Sequence, residues 1–284
     1  MGAAALIAGI AIALLFGSPL SPQRAKSLQT LLLQLSVVGL GAGMDLQEIV
    51  KAGLEGLFLS AITIIGTLMV GALLKQLLKV ETTTAVLISV GTAICGGSAI
   101  AAVAPVLGAK PHQTSVSLAV IFLLNGIALL IFPPIGHALG LSQHDFGEWA
   151  ALAVHDTSSV VGATMQYGEQ ALRVGVTLKL ARALWIVPLT LFVARAFRSA
   201  DAKNEKKKFP WFILGYVAMA GLATWLPVLK PIADLSRYVL IVTLFLIGLG
   251  VSRDALRAIG VRPLVLAVVL WALVAGCSLA VVLW

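Results

Sequence analysis

A chain of 284 residues that is 60% hydrophobic and 11% charged, with a mean hydropathy of +1.02, is not an ordinary soluble domain, since such domains carry about a quarter charged residues. Its apolar residues fall in repeated runs of about 20, the length of a bilayer-crossing helix, whereas barrel strands would alternate in shorter segments. The net charge of +8 does not point to nucleic acid, because the basic residues lie in short connections between apolar runs, as membrane topology requires.

In chain order the sequence predicts ten spans: Ala3–Phe16, Leu28–Met44, Leu54–Leu78, Thr84–Leu107, Ser115–His137, Glu148–Gln166, Ala171–Phe197, Pro210–Leu229, Tyr238–Val251 and Pro263–Trp284. The first lacks a positive n-region and reads as a short span rather than a cleavable signal. Connections after odd-numbered spans hold thirteen basic residues, among them Lys75, Lys79, Arg195 and Arg262, against five on the other face. The positive-inside rule makes the first set cytoplasmic and both termini external. One membrane domain over residues 1–284 is expected, with a basic cytoplasmic loop at Arg198–Phe209 between spans seven and eight. Tryptophans near span ends, such as Trp211 and Trp284, fit an aromatic belt.

The fourth span contains Val90-Gly91-Thr92-Ala93-Ile94-Cys95-Gly96-Gly97-Ser98-Ala99. Each glycine there weakens the helix by roughly 1 kcal/mol. An opened backbone in lipid must be satisfied by protein or by a water-filled cavity, and a helix broken at the midplane is an ion-binding device. Close helix packing at small residues is the other reading. A weak repeat is also visible. Val38-Gly39-Leu40-Gly41 before Asp45 resembles Ile247-Gly248-Leu249-Gly250 before Asp254, and the two face opposite ways in this topology. A second similarity, Gly96–Ala102 with Thr157–Ala163, does not invert in a ten-span count, so one segment is re-entrant or the count is off by one.

Four groups fall near span centres: the Gly91–Ser98 stretch, His155-Asp156-Thr157-Ser158-Ser159, Lys179 with Arg182, and Asn125. Lys179 and Arg182, three residues apart, share one helical face. Ionisable groups at this depth cost several kcal/mol unless paired or hydrated, and by default mark a functional pathway. With Asp156 ionised and His155 neutral, the two cations leave a surplus of +1. That suits an anionic substrate, with Arg182 presenting a fork to an oxyanion and Thr92 and Ser98 adding donors. His155 could couple flux to protons. Alternatively, Asp156 pairs with Lys179 or Arg182 to tie two helices together, His155 is a satisfied interior residue, and Asn125 is an interhelical hydrogen-bonding residue. An intramembrane enzyme with Cys95 as nucleophile and His155 as base has only residue type behind it. No enzymatic activity and no cofactor is expected. Cys95 and Cys277 both lie in apolar runs, and the other histidines have no metal-ligand spacing.

Gly91-Thr92-Ala93-Ile94-Cys95-Gly96-Gly97-Ser98-Ala99-Ile100-Ala101-Ala102, then His155-Asp156-Thr157-Ser158-Ser159-Val160-Val161, then Lys179 with Arg182, resemble the signature blocks of the YeiH-like sulfate exporter family, from about Ser27 to the C-terminus. The resemblance implies a bacterial inner-membrane protein of the cation:proton antiporter and anion transporter superfamily. It also implies inverted repeats, discontinuous helices crossing near the midplane, and separate transport and scaffold bundles. Longer members carry an additional N-terminal span. Carried over by motif, the candidate substrate-binding residues are Thr92, Cys95, Gly96, Gly97, Ser98, Asn125, Lys179 and Arg182, with His155 and Asp156 for proton coupling.

The expectation is therefore an all-α polytopic membrane protein with an inverted-repeat secondary-transporter fold. It would move small anions, as an exporter of sulfate, sulfite or sulfonates, with proton or Na⁺ coupling and a homodimer implied by the superfamily. A cation:proton antiporter working through Asp156 is the alternative, and a non-transporting membrane component a third. Partners are the anion and the lipid bilayer, without nucleic acid.

Overall fold

The computed structural model describes residues 2–16, 22–44, 46–196, 211–249 and 259–284. Among them the regular structure is entirely helical. The helices are α1 (Gly2–Phe16), α2 (Pro22–Leu40), α3 (Leu46–Leu78), α4 (Thr82–Ala93), α5 (Gly97–Val103), α6 (Pro111–Ala138) and α7 (Gln143–Ala153). They continue with α8 (Thr157–Tyr167), α9 (Glu169–Ala183), α10 (Ile186–Ala196), α11 (Trp211–Trp225), α12 (Pro231–Leu249) and α13 (Val261–Val282). Among the described residues four segments are long and apolar enough to cross a membrane, Ser60–Leu78, Pro111–Ala138, Glu169–Val193 and Val261–Val282, and there are shorter apolar helices as well. Large apolar side chains such as Leu15, Phe16, Met69 and Leu77 are exposed on the helix surfaces. In water that would be a liability, but it suits a chain solvated by lipid. The architecture is that of an all-α polytopic membrane protein.

Two of the ten expected spans differ in the structure. Span six, read as one segment Glu148–Gln166, is two helices, α7 and α8, separated by an extended stretch at 154–156. Span four is divided as the glycines predict, into α4 and α5 with a turn at 94–96. Span seven is interrupted at 184–185, where Leu184 and Trp185 donate to the carbonyls three residues back, of Ala181 and Arg182. Pro188, just beyond, has no N–H to restore the regular ladder. The loop Arg198–Phe209, Asp45, Gly250 and Asp254 lie outside the described residues.

The chain divides into two compact units, Met1–Gly53 with Lys208–Arg253, and Leu54–Lys207 with Asp254–Trp284. In the first, α12 packs on α1 and α2, and α11 on α2. Small residues permit that approach. A Cβ added to Gly9 would meet the Phe245 carbonyl oxygen at 2.2 Å, and one on Gly41 the Tyr216 carbonyl oxygen at 2.3 Å.

The second unit contains both broken spans. Here α9 packs on α7 and α8, α6 on α4 and α8, and α13 on α7 and α4. Two glycines let α7 and α9 come close: a Cβ on Gly147 would lie 2.8 Å from the Ala171 carbonyl oxygen, and one on Gly175 would lie 3.3 Å from the Gly147 carbonyl oxygen. One helical turn beyond each glycine come Ala151 and Lys179, so this small-residue contact delivers the lysine to the end of α7.

Candidate functional site

Each broken span ends one helix with exposed carbonyls and begins another with exposed amides. At the first break Ile94 N–H still reaches the Val90 carbonyl, and Gly96 N–H reaches Gly91 at 2.9 Å. Gly96 has φ +60° and ψ −121°, a conformation open essentially to glycine alone, and it turns the chain into α5. At the second break there is no glycine. Val154 and Asp156 are extended, and Asp156 is the N-cap of α8, its Oδ1 accepting from Ser159 N–H at 2.6 Å. Ser158 Oγ donates to the same oxygen at 2.9 Å.

The two breaks lie against each other on both sides. On one side a single guanidinium joins the ends of α4 and α7, with Arg182 Nε donating to the Ala93 carbonyl at 2.7 Å and Nη1 to the Leu152 carbonyl at 2.6 Å. Lys179 Nζ donates to the carbonyls of Val154 at 2.6 Å and Ala151 at 3.3 Å. Trp271, on α13, gives its indole N–H to the Ala153 carbonyl at 3.1 Å. The last carbonyls of α7 are therefore capped by side chains of α9 and α13. Cations at the negative end of a helix dipole gain up to about 2 kcal/mol when partly buried, and charge-assisted hydrogen bonds add about 1.5–3 kcal/mol each. That is how two cations with no solvent exposure are held. Neither forms an ion pair with a carboxylate among the described residues.

On the other side, a Cβ added to Gly96 would lie 3.3 Å from Asp156 Cβ and 3.6 Å from Asn125 Nδ2. Asn125, buried on α6, bridges the second break. Its Nδ2 donates to Asp156 Oδ2 at 2.8 Å, and its Oδ1 accepts from His155 N–H at 3.1 Å. This is the interhelical role weighed for it from the sequence. Asp156, Thr157 and Ser158 are half-buried and Ser98 is exposed, so the accessible side of the crossing carries the carboxylate and the cations are enclosed.

The candidate residues thus converge, with differences in role. The Arg182 fork is engaged by two carbonyls, which leaves Nη2 without a partner among the described residues. Thr92 Oγ1 and both ring nitrogens of His155 are likewise buried without one. Cys95 sits buried in the first break, within electrostatic reach of Lys179, Arg182 and Asp156, and no hydrogen bond joins it to His155. Gly97 is half-buried beside Phe122. The sequence reading missed Trp271, which no local motif marks. It also missed the cap at Asp156, although an aspartate followed by Thr-Ser-Ser is a helix-start signal. Trp271→Phe keeps a ring to pack on Phe132, 5.9 Å away, and removes only the N–H. It is expected to lower unfolding stability by about 1–3 kcal/mol, read by thermal unfolding in detergent, and an unchanged transition would show that the Ala153 carbonyl does not need this cap.

The profile of a protein family described as conserved hypothetical protein 698 matches residues 2–267, nearly the whole chain. The chain belongs to this family. Similar proteins include a UPF0324 membrane protein of Bdellovibrio bacteriovorus, 49% identical over 99% of this chain and 88% of the relative. Another, from Geobacter sulfurreducens, is 48% identical over 98% of this chain and 89% of its own, and one from Bacteroides thetaiotaomicron is 47% identical over 97% and 84%. No solved structure matches. The relatives' description as membrane proteins agrees with the apolar helices, and this family member is a membrane protein.

Proposed function

We propose that the protein is a secondary transporter of small anions, with sulfate, sulfite or sulfonates as its substrate class, and that it works as an exporter in the bacterial inner membrane. One observation carries the reading. Two broken helices cross around a pair of fully buried basic side chains; among the described residues no carboxylate pairs with either, and no group satisfies Arg182 Nη2. Helix breaks at depth suit transporters, because the opened backbone and its partial charges form a polar site inside an apolar solvent. Lys179, Arg182 and Asp156 together leave one positive charge, which an anion neutralises. The similar placement of α5 and α8, each directly after a break, supports a repeat relation between Gly96–Ala102 and Thr157–Ala163. Alternating access would then proceed by movement of one bundle against the other.

Asp156 favours a second reading. It is the carboxylate on the accessible side, so Na⁺ or a proton could bind there in a cation:proton antiporter. The test is the current from purified protein in liposomes on a supported membrane, challenged in turn with sulfate, sulfite, a sulfonate and Na⁺. An anion-evoked current supports the proposal. A Na⁺ response that Asp156→Asn abolishes, without any anion response, would replace it with the antiporter.

A further inference from the structure

We infer that the crossing selects a singly charged oxyanion, such as a sulfonate or hydrogensulfite, over doubly charged sulfate. The inference rests on the anion reading above and deepens it. It starts from the charge states that the contacts favour. Lys179 and Arg182 have no solvent exposure and donate only to carbonyls among the described residues. Arg182 is a cation at any ordinary pH, and the carbonyls at the negative end of the α7 dipole favour the ammonium form of Lys179. Asp156 receives three donors, Asn125 Nδ2, Ser158 Oγ and Ser159 N–H, and donates to none of the described residues. All three contacts use the ionised carboxylate. An imidazolium at His155 would bury two N–H donors without partners, so the neutral ring is the form that fits. The three charged side chains at the breaks therefore sum to +1.

A fixed charge of +1 treats mono- and dianions unequally. Attraction to it rises in proportion to the anion's charge, but the Born cost of taking the anion out of water rises with the square of that charge. Doubling the charge doubles the gain and quadruples the cost. Asp156 sharpens the difference, because it stands on the accessible side and repels a dianion twice as strongly as a monoanion. The donors without partners among the described residues, Arg182 Nη2 and Thr92 Oγ1, suit oxygen acceptors but bring no second charge.

The experiment uses the full chain, purified and reconstituted, with methanesulfonate and sulfate compared at constant ionic strength by half-saturation of evoked current and by competition. In the wild type, methanesulfonate should be preferred by about tenfold or more, a factor that corresponds to about 1.4 kcal/mol. Asp156→Asn raises the fixed charge to +2 and should narrow that ratio or reverse it. Sulfate preferred or equal in the wild type overturns the inference and leaves the anion reading standing. A wild-type preference for methanesulfonate that Asp156→Asn leaves unaltered also overturns it, since the charge sum would not set the selectivity. If the variant does not fold, the wild-type ratio decides alone. Silence to both anions with a Na⁺ response would sink the anion reading itself, an outcome distinct from the other two.

Discussion

Arg182→Gln is expected to lose about 3–5 kcal/mol of stability, the range for breaking a buried charged contact, and with it all transport. The guanidinium hydrogen-bonds to both broken spans, at the Ala93 and Leu152 carbonyls. Glutamine is shorter, cannot span the two, and leaves carbonyls in an apolar surrounding without donors. In detergent the apparent Tm should fall by roughly 10 °C. Arg182→Lys should fall between the two, because the ammonium keeps the charge but not the fork. Unfolding identical to wild type for Arg182→Gln would show that the crossing does not depend on this cap. The comparison also bears on function. Loss of flux in Arg182→Gln counts as evidence about an anion site only if the folded fraction is measured in the same preparation.

Gly96→Ala should be nearly as damaging, by a different route. At φ +60° and ψ −121° an alanine is strained, by about 1–3 kcal/mol. Its Cβ would also press on Ile121 Cγ2 at 3.2 Å and on Asp156 Cβ at 3.3 Å. Both neighbours are part of the crossing, so Asp156 would be pushed out of line with Asn125 and Ser159. The neighbouring Gly97→Ala separates backbone strain from added bulk. Gly97 has no positive φ, and its added Cβ meets Phe122 Cζ at 2.9 Å, at the far end of a half-exposed side chain that can move. Flux and melting temperature should drop sharply for Gly96→Ala and only slightly for Gly97→Ala. Equal effects would mean that local packing, rather than the backbone turn, fixes the first break.

The two breaks differ in how far the sequence announces them. The first is local in cause: Gly91, Gly96 and Gly97 weaken the helix where it opens, and propensity alone points to 94–96. The second has no glycine between Glu148 and Val161, and its apolar run continues to Val154. It stays open because the carbonyls at the end of α7 are taken by Lys179, Arg182 and Trp271, the last of them 118 residues away from its acceptor.

The amino-acid sequence specified a polytopic membrane protein, because apolar runs of about 20 residues satisfy their backbone in lipid as single helices and are too long for barrel strands. It also determined the first break, the shared face of Lys179 and Arg182, and the local excess of one positive charge. The tertiary structure decided where those cations point. Their acceptors are backbone carbonyls, which every residue carries and no sequence marks. Only the packing of α7 against α9, brought close by Gly147 and Gly175, selects the carbonyls of 151, 152 and 154 from all the others.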